Sequence, residues 1–456
     1  MQRLCFIHIS DLHLDNFSSV KKEENSLAVR LHEAPYEALQ NLLELCERCN
    51  PQFIVFTGDL YQHGLLSLKA RTYLTKFFNA LAESKIPFYY VKGNHDHIGQ
   101  NDSFFTQFPY VFVYQDAWSY FTYPLNATQG EKCIRLYGYS HNTRKENQNV
   151  LQNLHDVFAN SHTEEFENVL FSIGLFHATV KQKNSSLEKV KNTDKHVMAL
   201  CYDEELKEFP INYWALGHIH EYNVLSEQPY IAYAGAMQAT RMGETGERGA
   251  VVVTIDNIED KEQRQIYTEF CPLSPLESYD IVLSLGEDEA YMNLEEVRTF
   301  LIQSFQNALL GLTQNPYCVD EVIRVVIDGQ HSLFQKISAE DFLVELGESL
   351  TNTESYPRVH VKKVFSWLRP CFDFVTAYKR EDILGEVFRV LDTLKQEPHL
   401  FEEILAKLES EFKIKKEYEL GFFQNSEMRS ENQIKRYKES LFRACENIIV
   451  NILEPK

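Results

Sequence analysis

The chain has 456 residues, a formal net charge of −21, 44% apolar residues and 24% charged ones. That length exceeds one ordinary core and predicts two or three domains, and the composition is that of a globular protein. No uncharged apolar run reaches the ~18 residues of a membrane span, and the acidic balance disfavours gripping nucleic acid by bulk charge, though a local cationic patch, bound metals or a partner could supply that affinity.

The first eight residues turn polar too early and lack a small-residue cleavage site, so they read as the start of a strand over residues 3–10, not as a signal peptide. The nine cysteines are dispersed and odd in number, which fits reduced thiols in a cytoplasmic protein. Residues 35–49 carry a helical stripe of Leu39, Leu42, Leu43 and Leu45. Within it Cys46 and Cys49 form a lone CxxC that reads as packing. A buried strand over 52–57 runs into Gly58-Asp59, a helix covers 68–84, and a strand over 87–91 ends at Gly93-Asn94-His95-Asp96. Apolar strands over 169–176 and 213–216 precede His177 and Gly217-His218-Ile219-His220, and the polar stretch 181–193 reads as a surface loop. Strand–loop–helix alternation of this kind predicts an α/β fold.

Composition changes after Cys271-Pro272-Leu273-Ser274-Pro275. Strands over 279–284, 319–327 and 358–365, with helices over 294–310 and 339–348, predict a small α+β domain across residues 276–370. From 371 to 456 the chain reads as helical and amphipathic, with stripes such as Phe388, Leu391 and Leu394, then Phe401, Ile404, Leu405 and Leu408. Such stripes either pack on their own protein or receive a partner. The sequence has no internal repeat and no low-complexity tract.

The chemistry lies in where the polar residues fall. Asp11 and His13 follow the first strand, and a period of two puts both side chains on one side. Asp59 ends the next strand, Asn94 and His95 the third, His177 the fourth, and His218 and His220 the fifth. Five strand ends therefore share one rim. Oxygen and nitrogen donors of this kind suit first-row divalent ions. Seven donors (Asp11, His13, Asp59, Asn94, His177, His218 and His220) exceed one tetrahedral ion and suit two ions about 3.5–4 Å apart, with Asp59 as the bridge. Two dications against two carboxylates would draw a phosphate. A single Asp-x-His carries little weight; the full ordered set carries the reading.

This ordered set resembles the calcineurin-like metallophosphoesterase superfamily across residues 1–270. Ile9-Ser10-Asp11-Leu12-His13-Leu14 and Tyr233-Ala234-Gly235-Ala236 are similar to the SbcD-type DNA repair exonucleases and their YhaO branch. The resemblance implies a β-sandwich flanked by helices as a catalytic domain (1–270), an α+β capping or DNA-binding domain (276–370) and a helical partner-binding segment (371–456). It implies Asp11, His13, Asp59 and His220 on one metal, and Asp59, Asn94, His177 and His218 on the other. His95 would serve the leaving oxygen as general acid, Asp96 would orient a neighbour, and Mn²⁺ would activate. The implied activity is a DNA exonuclease working in repair or recombination with an SbcC/YhaN-like coiled-coil ATPase, and homodimers are a feature of such nucleases. Small-molecule or nucleotide phosphodiesterase activity, or a non-catalytic regulatory subunit, are the competing readings.

The sequence departs from its nuclease relatives three residues after Asp59, where Gln62 stands and His63 follows. His8 reads as a packed or supporting residue, His97 as surface and His141 as a substrate-side candidate. For DNA, Arg358, His360 and Lys362 alternate onto one face of a strand, opposite Val359, Val361 and Lys363, and could touch phosphates. Arg241 follows the last ligands and could approach substrate.

Overall fold

The computed structural model describes residues 3–369, apart from 16–25, 63–65, 97–101, 126–131, 144–149, 161–167, 183–196, 242, 287, 291 and 313–314; beyond Arg369 it describes only Lys379, Glu381, Arg389 and Thr393. The amphipathic stretch expected over 371–456, and most of the loop expected over 181–193, lie outside the described residues. The chain divides into two compact units, one of Met1–Ser278 with Thr313–Glu321, the other of Tyr279–Leu312 with Val322–Lys456.

In chain order the first unit runs β1 (Leu4–Ile9), α1 (Ser26–Cys49), β2 (Phe53–Thr57), α2 (Leu68–Glu83), β3 (Phe88–Val91), α3 (Asp102–Phe105), β4 (Val111–Val113), β5 (Ser119–Pro124) and β6 (Cys133–Tyr139). It continues with α4 (Leu151–Asn160), β7 (Val169–His177), β8 (Val180–Lys181), β9 (Cys201–Tyr202), α5 (Asp203–Lys207), β10 (Tyr213–Gly217), β11 (Asn223–Glu227), β12 (Tyr230–Tyr233), β13 (Gly249–Asp256) and β14 (Gln265–Pro272). These strands build two six-stranded sheets, ordered β14-β13-β1-β2-β3-β4 and β11-β12-β10-β7-β6-β5. The strands that carry the motifs, β1, β2 and β3 in one sheet and β7 and β10 in the other, pair in parallel, so their carboxyl ends coincide.

Alternation along each strand decides the layers. Leu4, Phe6, Phe53, Val55, Tyr89 and Val91 of the first sheet share one core with Ile173, Leu175, Tyr213 and Ala215 of the second. The opposite phase, Ile7, Ile9, Ile54 and Phe56, packs on α1 and α2. On the outer side of the second sheet, Trp214 and Leu216 pack with Leu151 and Leu154 of α4 and Leu206 of α5. The expected sandwich flanked by helices is therefore present. Helix α1 starts at Ser26, not at residue 35, and carries Pro35 inside it. Proline removes one backbone donor and crowds the preceding turn, but Ala34, Ala38, Leu42 and Leu45 keep one buried stripe across it. At α2, Ser67 caps the first turn by accepting from the Ala70 N–H.

The second unit adds β15 (Leu276–Leu285), α6 (Leu294–Leu309), β16 (Asp320–Gln330), α7 (Phe334–Ile337), α8 (Glu340–Leu350) and β17 (Arg358–Arg369). Its sheet is ordered β15-β16-β17, and Ile281, Leu283, Val297, Leu301, Ile323 and Val325 belong to its core. On β17 the buried residues are Val359, Val364 and Leu368, while Lys362 and Lys363 are both exposed. The odd interval from 359 to 364 breaks the period of two. Val359 and Val361 both pack on the core, as expected of the face opposite Arg358 and His360, and the phase changes only between Lys363 and Val364.

Candidate metal centre

His177 ends β7, but the other candidate ligands lie in the loops after the strands. β1 ends at Ile9, and both Asp11 and His13 have left-handed backbone, φ 51° and 50°. Their common direction therefore comes from a paired loop, not from strand alternation. The Asp11 and His13 N–H groups donate to the Gly58 and Asp59 carbonyls at 3.0 and 2.9 Å, tying this loop to the one after β2. Asp59 at φ 58° and His218 at φ 97° share the left-handed geometry. Non-glycine residues rarely adopt it, and such strain persists where the surroundings over-determine it.

The glycines in the motifs have a steric reason. A Cβ at Gly217 would lie 1.9 Å from the Thr57 carbonyl oxygen and 2.3 Å from Ser10 Oγ. At Gly58, where φ is 98°, it would lie 2.4 Å from His177 Nδ1. No side chain fits either place, so the two sheets close on each other directly beneath the ligands.

Six of the expected residues converge on one set of atoms. Three groups have donor atoms all within 4.8 Å of one another: Asp11, His13 and His220; His13, Asp59 and His95; and Asp11, Asp59 and His177. Asp59 Oδ2 lies 3.7 Å from His13 Nε2, 3.5 Å from His177 Nε2 and 3.9 Å from His95 Nε2. Asn94 joins through Oδ1, 3.1 Å from His177 Nε2. The His218 ring sits beside His177 at a centroid distance of 5.2 Å, and its backbone N–H donates to Asp11 Oδ2 at 3.0 Å.

Three observations fit cations here. The first is Asp11 Oδ1, which is buried and takes no hydrogen bond, though it lies 3.7 Å from both His13 Nε2 and His220 Nε2. A buried, unpaired carboxylate oxygen is costly unless a positive charge faces it. The second is ring orientation. Nδ1 of His177 is 2.8 Å from the Thr57 carbonyl, Nδ1 of His13 is 2.8 Å from Gln62 Oε1, and Nδ1 of His220 is 2.7 Å from Glu244 Oε1. Each Nδ1–H donates outward, which leaves Nε2 as an inward lone pair. The third is that His13 and His220 turn Nε2 toward Nε2 at 3.3 Å. Two lone pairs repel at that distance unless a cation or a proton intervenes.

The electrostatics of the bare chain make the same demand. Burial opposes charge on His13 and His220, but Asp11 and Asp59 beside the first and Glu244 beside the second outweigh it and raise both imidazoles. Burial pushes the Asp59 carboxyl well up, with Asp96 and Asp11 adding to the rise, while Asp11 is held low because His13 and His177 overcome its burial. Burial would likewise raise Glu244, yet His220 opposite it holds the carboxyl at about 2. The cluster draws in positive charge, and dications satisfy that draw while the imidazoles stay neutral ligands.

His95 is more open than the rest, its side chain 37% exposed. Burial and the neighbouring His13 push its imidazole down to about 3, so it is a neutral N–H donor at neutral pH. Its backbone N–H donates to Asp59 Oδ1 at 2.8 Å. Asp96 is fully buried and ties three places together, accepting from the Leu60 and Gly93 N–H groups and the Tyr90 hydroxyl. Sequence reasoning missed Glu244 and Gln62 as holders of His220 and His13; a carboxylate after the last ligand motif and the amide at the departing position were the only signals.

Other expectations move. His141 is not on the substrate side: it is fully buried, with Nε2 2.6 Å from the His177 carbonyl. His8 is buried between the sheets, 3.1 Å from the Tyr213 hydroxyl and 3.2 Å from Thr57 Oγ1 and the Leu216 carbonyl. Arg241 is exposed, and its carbonyl accepts from the Glu244 N–H. Arg358 and Lys362 lie on β17, in the other unit. Cys46 and Cys49 pack with the α1 core, and the metal-capable groups among the described residues contain no cysteine. His63 and His97 lie outside the described residues.

Carboxylates and outward-anchored imidazoles that converge at the strand ends of a helix-flanked sandwich are an arrangement suited to holding divalent ions against a phosphate ester. Residues 5–222 match the calcineurin-like phosphoesterase family. The chain is 30% identical over 260 residues to an uncharacterized metallophosphoesterase, YhaO, of Bacillus subtilis, covering 56% of this chain and 58% of that protein. It is 22% identical over 275 residues to the DNA double-strand break repair protein Mre11 of Thermoplasma acidophilum, covering 57% and 64%. The chain thus spans less than two thirds of the length of either relative. Among solved structures, a dimetal phosphatase from Danio rerio aligns at 11% identity and a TM-score of 0.34, over 55% of this chain and 94% of that one. The resemblance to the SbcD/YhaO type is borne out by the two sequence relatives. No helix among the described residues is long and apolar enough to cross a membrane.

Proposed function

We propose that this chain is a two-metal DNA nuclease, an exonuclease activated by Mn²⁺, acting in the cytoplasm in DNA repair or recombination. The convergence of Asp11, Asp59, His13, His177 and His220 on one set of atoms carries the hydrolytic part of this reading. The similarity to Mre11, whose name places it in double-strand break repair, supports DNA as the substrate. When bound, the two ions supply Lewis acidity toward the phosphate and make water a nucleophile near neutral pH.

The chain's own residues divide the remaining work. Asp59 would be shared by the two ions, with Asp11, His13 and His220 holding one and Asn94, His177 and His218 the other. Gln62, Thr57 and Glu244 fix the tautomers that keep each Nε2 inward. His95, on the open side, would donate a hydrogen bond to the leaving oxygen, and an anionic phosphate beside it would raise its basicity so that it can take up a proton and pass it on as general acid. Arg241, Arg358 and Lys362 are the candidate phosphate contacts. A coiled-coil ATPase of the SbcC/YhaN kind would supply DNA affinity that a net charge of −21 withholds, with residues 371–456 as its docking segment and 276–370 as the capping domain. Pairing of two copies is a further part of the proposal.

The same charge favours one second reading, a phosphodiesterase for small or nucleotide esters. Purified protein with Mn²⁺, given end-labelled single- and double-stranded DNA and in parallel bis-p-nitrophenyl phosphate, separates the two. Cleavage of DNA, alone or with the ATPase, is expected. Cleavage of the small ester with none of DNA under either condition contradicts the nuclease.

A further inference from the structure

A cavity of about 250 Å³ adjoins the metal centre and shares His13 with it. Its walls are Leu12 of the first ligand loop, Leu31 and Pro35 of α1, and Ala239 of the chain after β12; His32 and Thr240 also line it. Its other polar groups are already engaged. Asp15 accepts from the Tyr36 hydroxyl at 2.6 Å and from Ser67 N and Oγ at 2.9 and 2.8 Å. Lys69 is paired with Glu33 at 2.5 Å and lies over the Tyr36 ring at 4.2 Å. The cavity therefore offers an occupant apolar contact with a polar edge, and little charge. That chemistry suits a flat ring with a hydrogen-bonding rim and does not suit a phosphate or a sugar.

We propose that this cavity is a base subsite. It takes the nucleobase of the nucleotide ester whose phosphate lies against the metal ligands. His13 is the common wall, so a ring in the cavity and a phosphate at the centre belong to neighbouring parts of one substrate. The site makes the protein selective for nucleoside esters over simple phosphodiesters. Its small volume admits one ring system at a time, which suits a strand end and not a paired duplex interior. This inference rests on the phosphodiester hydrolysis proposed above, whether the ester is DNA or a smaller nucleotide.

The test compares two diesters with the same leaving group, thymidine 5′-p-nitrophenyl phosphate and methyl p-nitrophenyl phosphate, with Mn²⁺. Wild-type protein is expected to favour the thymidine ester in kcat/KM by about tenfold or more, the scale of one buried base contact. Leu31→Trp and, separately, Ala239→Phe add bulk to the cavity and bring that ratio toward one. In metal-free protein, saturation-transfer NMR with thymidine alone should show contact to the thymine methyl in wild type and lose it in Leu31→Trp. A wild-type ratio near one, or a ratio that survives in both folded variants, overturns the base subsite. Failure to cleave either ester defeats the phosphodiesterase reading instead, and the thymidine NMR signal then still decides the cavity's ligand.

Discussion

The two sheets of the first unit have six strands each but deliver different chemistry. The first brings both carboxylates, Asp11 and Asp59, together with His13, Asn94 and His95. The second brings imidazoles alone, His177, His218 and His220. Each sheet also holds parts of the other's contribution. His177 is oriented by the Thr57 carbonyl at the end of β2, and Asp11 accepts from the His218 N–H. Neither sheet is a metal site by itself. The centre exists only where the sandwich closes, which is why Gly58 and Gly217 have no room for a side chain.

That asymmetry can be broken from either side. The largest effect is expected from Asp59→Asn, which removes the carboxylate charge proposed to bridge the two ions. Phosphodiester hydrolysis should fall on the order of 10³-fold or more, read as kcat/KM with Mn²⁺. His95→Ala should cost about 10²–10⁴-fold in kcat while manganese still binds; loss of metal in this variant would make His95 a ligand instead. Glu244→Gln leaves His220 in place but weakens its anchor. Metal affinity should fall about 10–100-fold, and an unchanged affinity would show that Glu244 does not hold His220.

The smallest expected effect concerns His8, which joins the sheets beneath the centre. Burial depresses its imidazole from 6.5 to about 3. A histidine with a depressed folded pKa contributes stability that is present above the unfolded pKa and lost as pH falls through it. Between pH 7 and pH 5 that loss is about 2 kcal/mol. Denaturant unfolding of metal-free wild type and His8→Gln at both pH values should show the wild type losing more stability by roughly that amount. Equal losses would remove His8 as a neutral link between the sheets.

Much of the fold and site was legible because burial and ligation leave strong local marks. Strands β1, β2, β3, β7 and β10 are apolar runs ending in Asp, Asn or His, and parallel pairing makes those ends coincide. Other features were written in contacts distant along the chain. Nothing near Pro35 says that α1 begins at Ser26, because a proline reads naturally as a helix start. Asp11 and His13 lie two apart, as on a strand, yet they meet through left-handed turns paired to the loop after β2. Strands β6 and β13, buried throughout or nearly so, carry no ligand motif to draw the eye. Glu244 acquires its role only when His220 comes within 2.7 Å. On β17, the side-chain phase changes after Lys363, which the period of two up to that point does not announce.

The central claim is that carboxylates from one sheet and imidazoles from the other hold two ions together. Calorimetric titration of metal-free protein with Mn²⁺, beside Asp59→Asn, tests it most directly. Two ions per chain are expected for wild type and no more than one tightly bound ion for the variant. One ion per fully active wild-type chain, or two ions bound equally well by Asp59→Asn, would contradict the account.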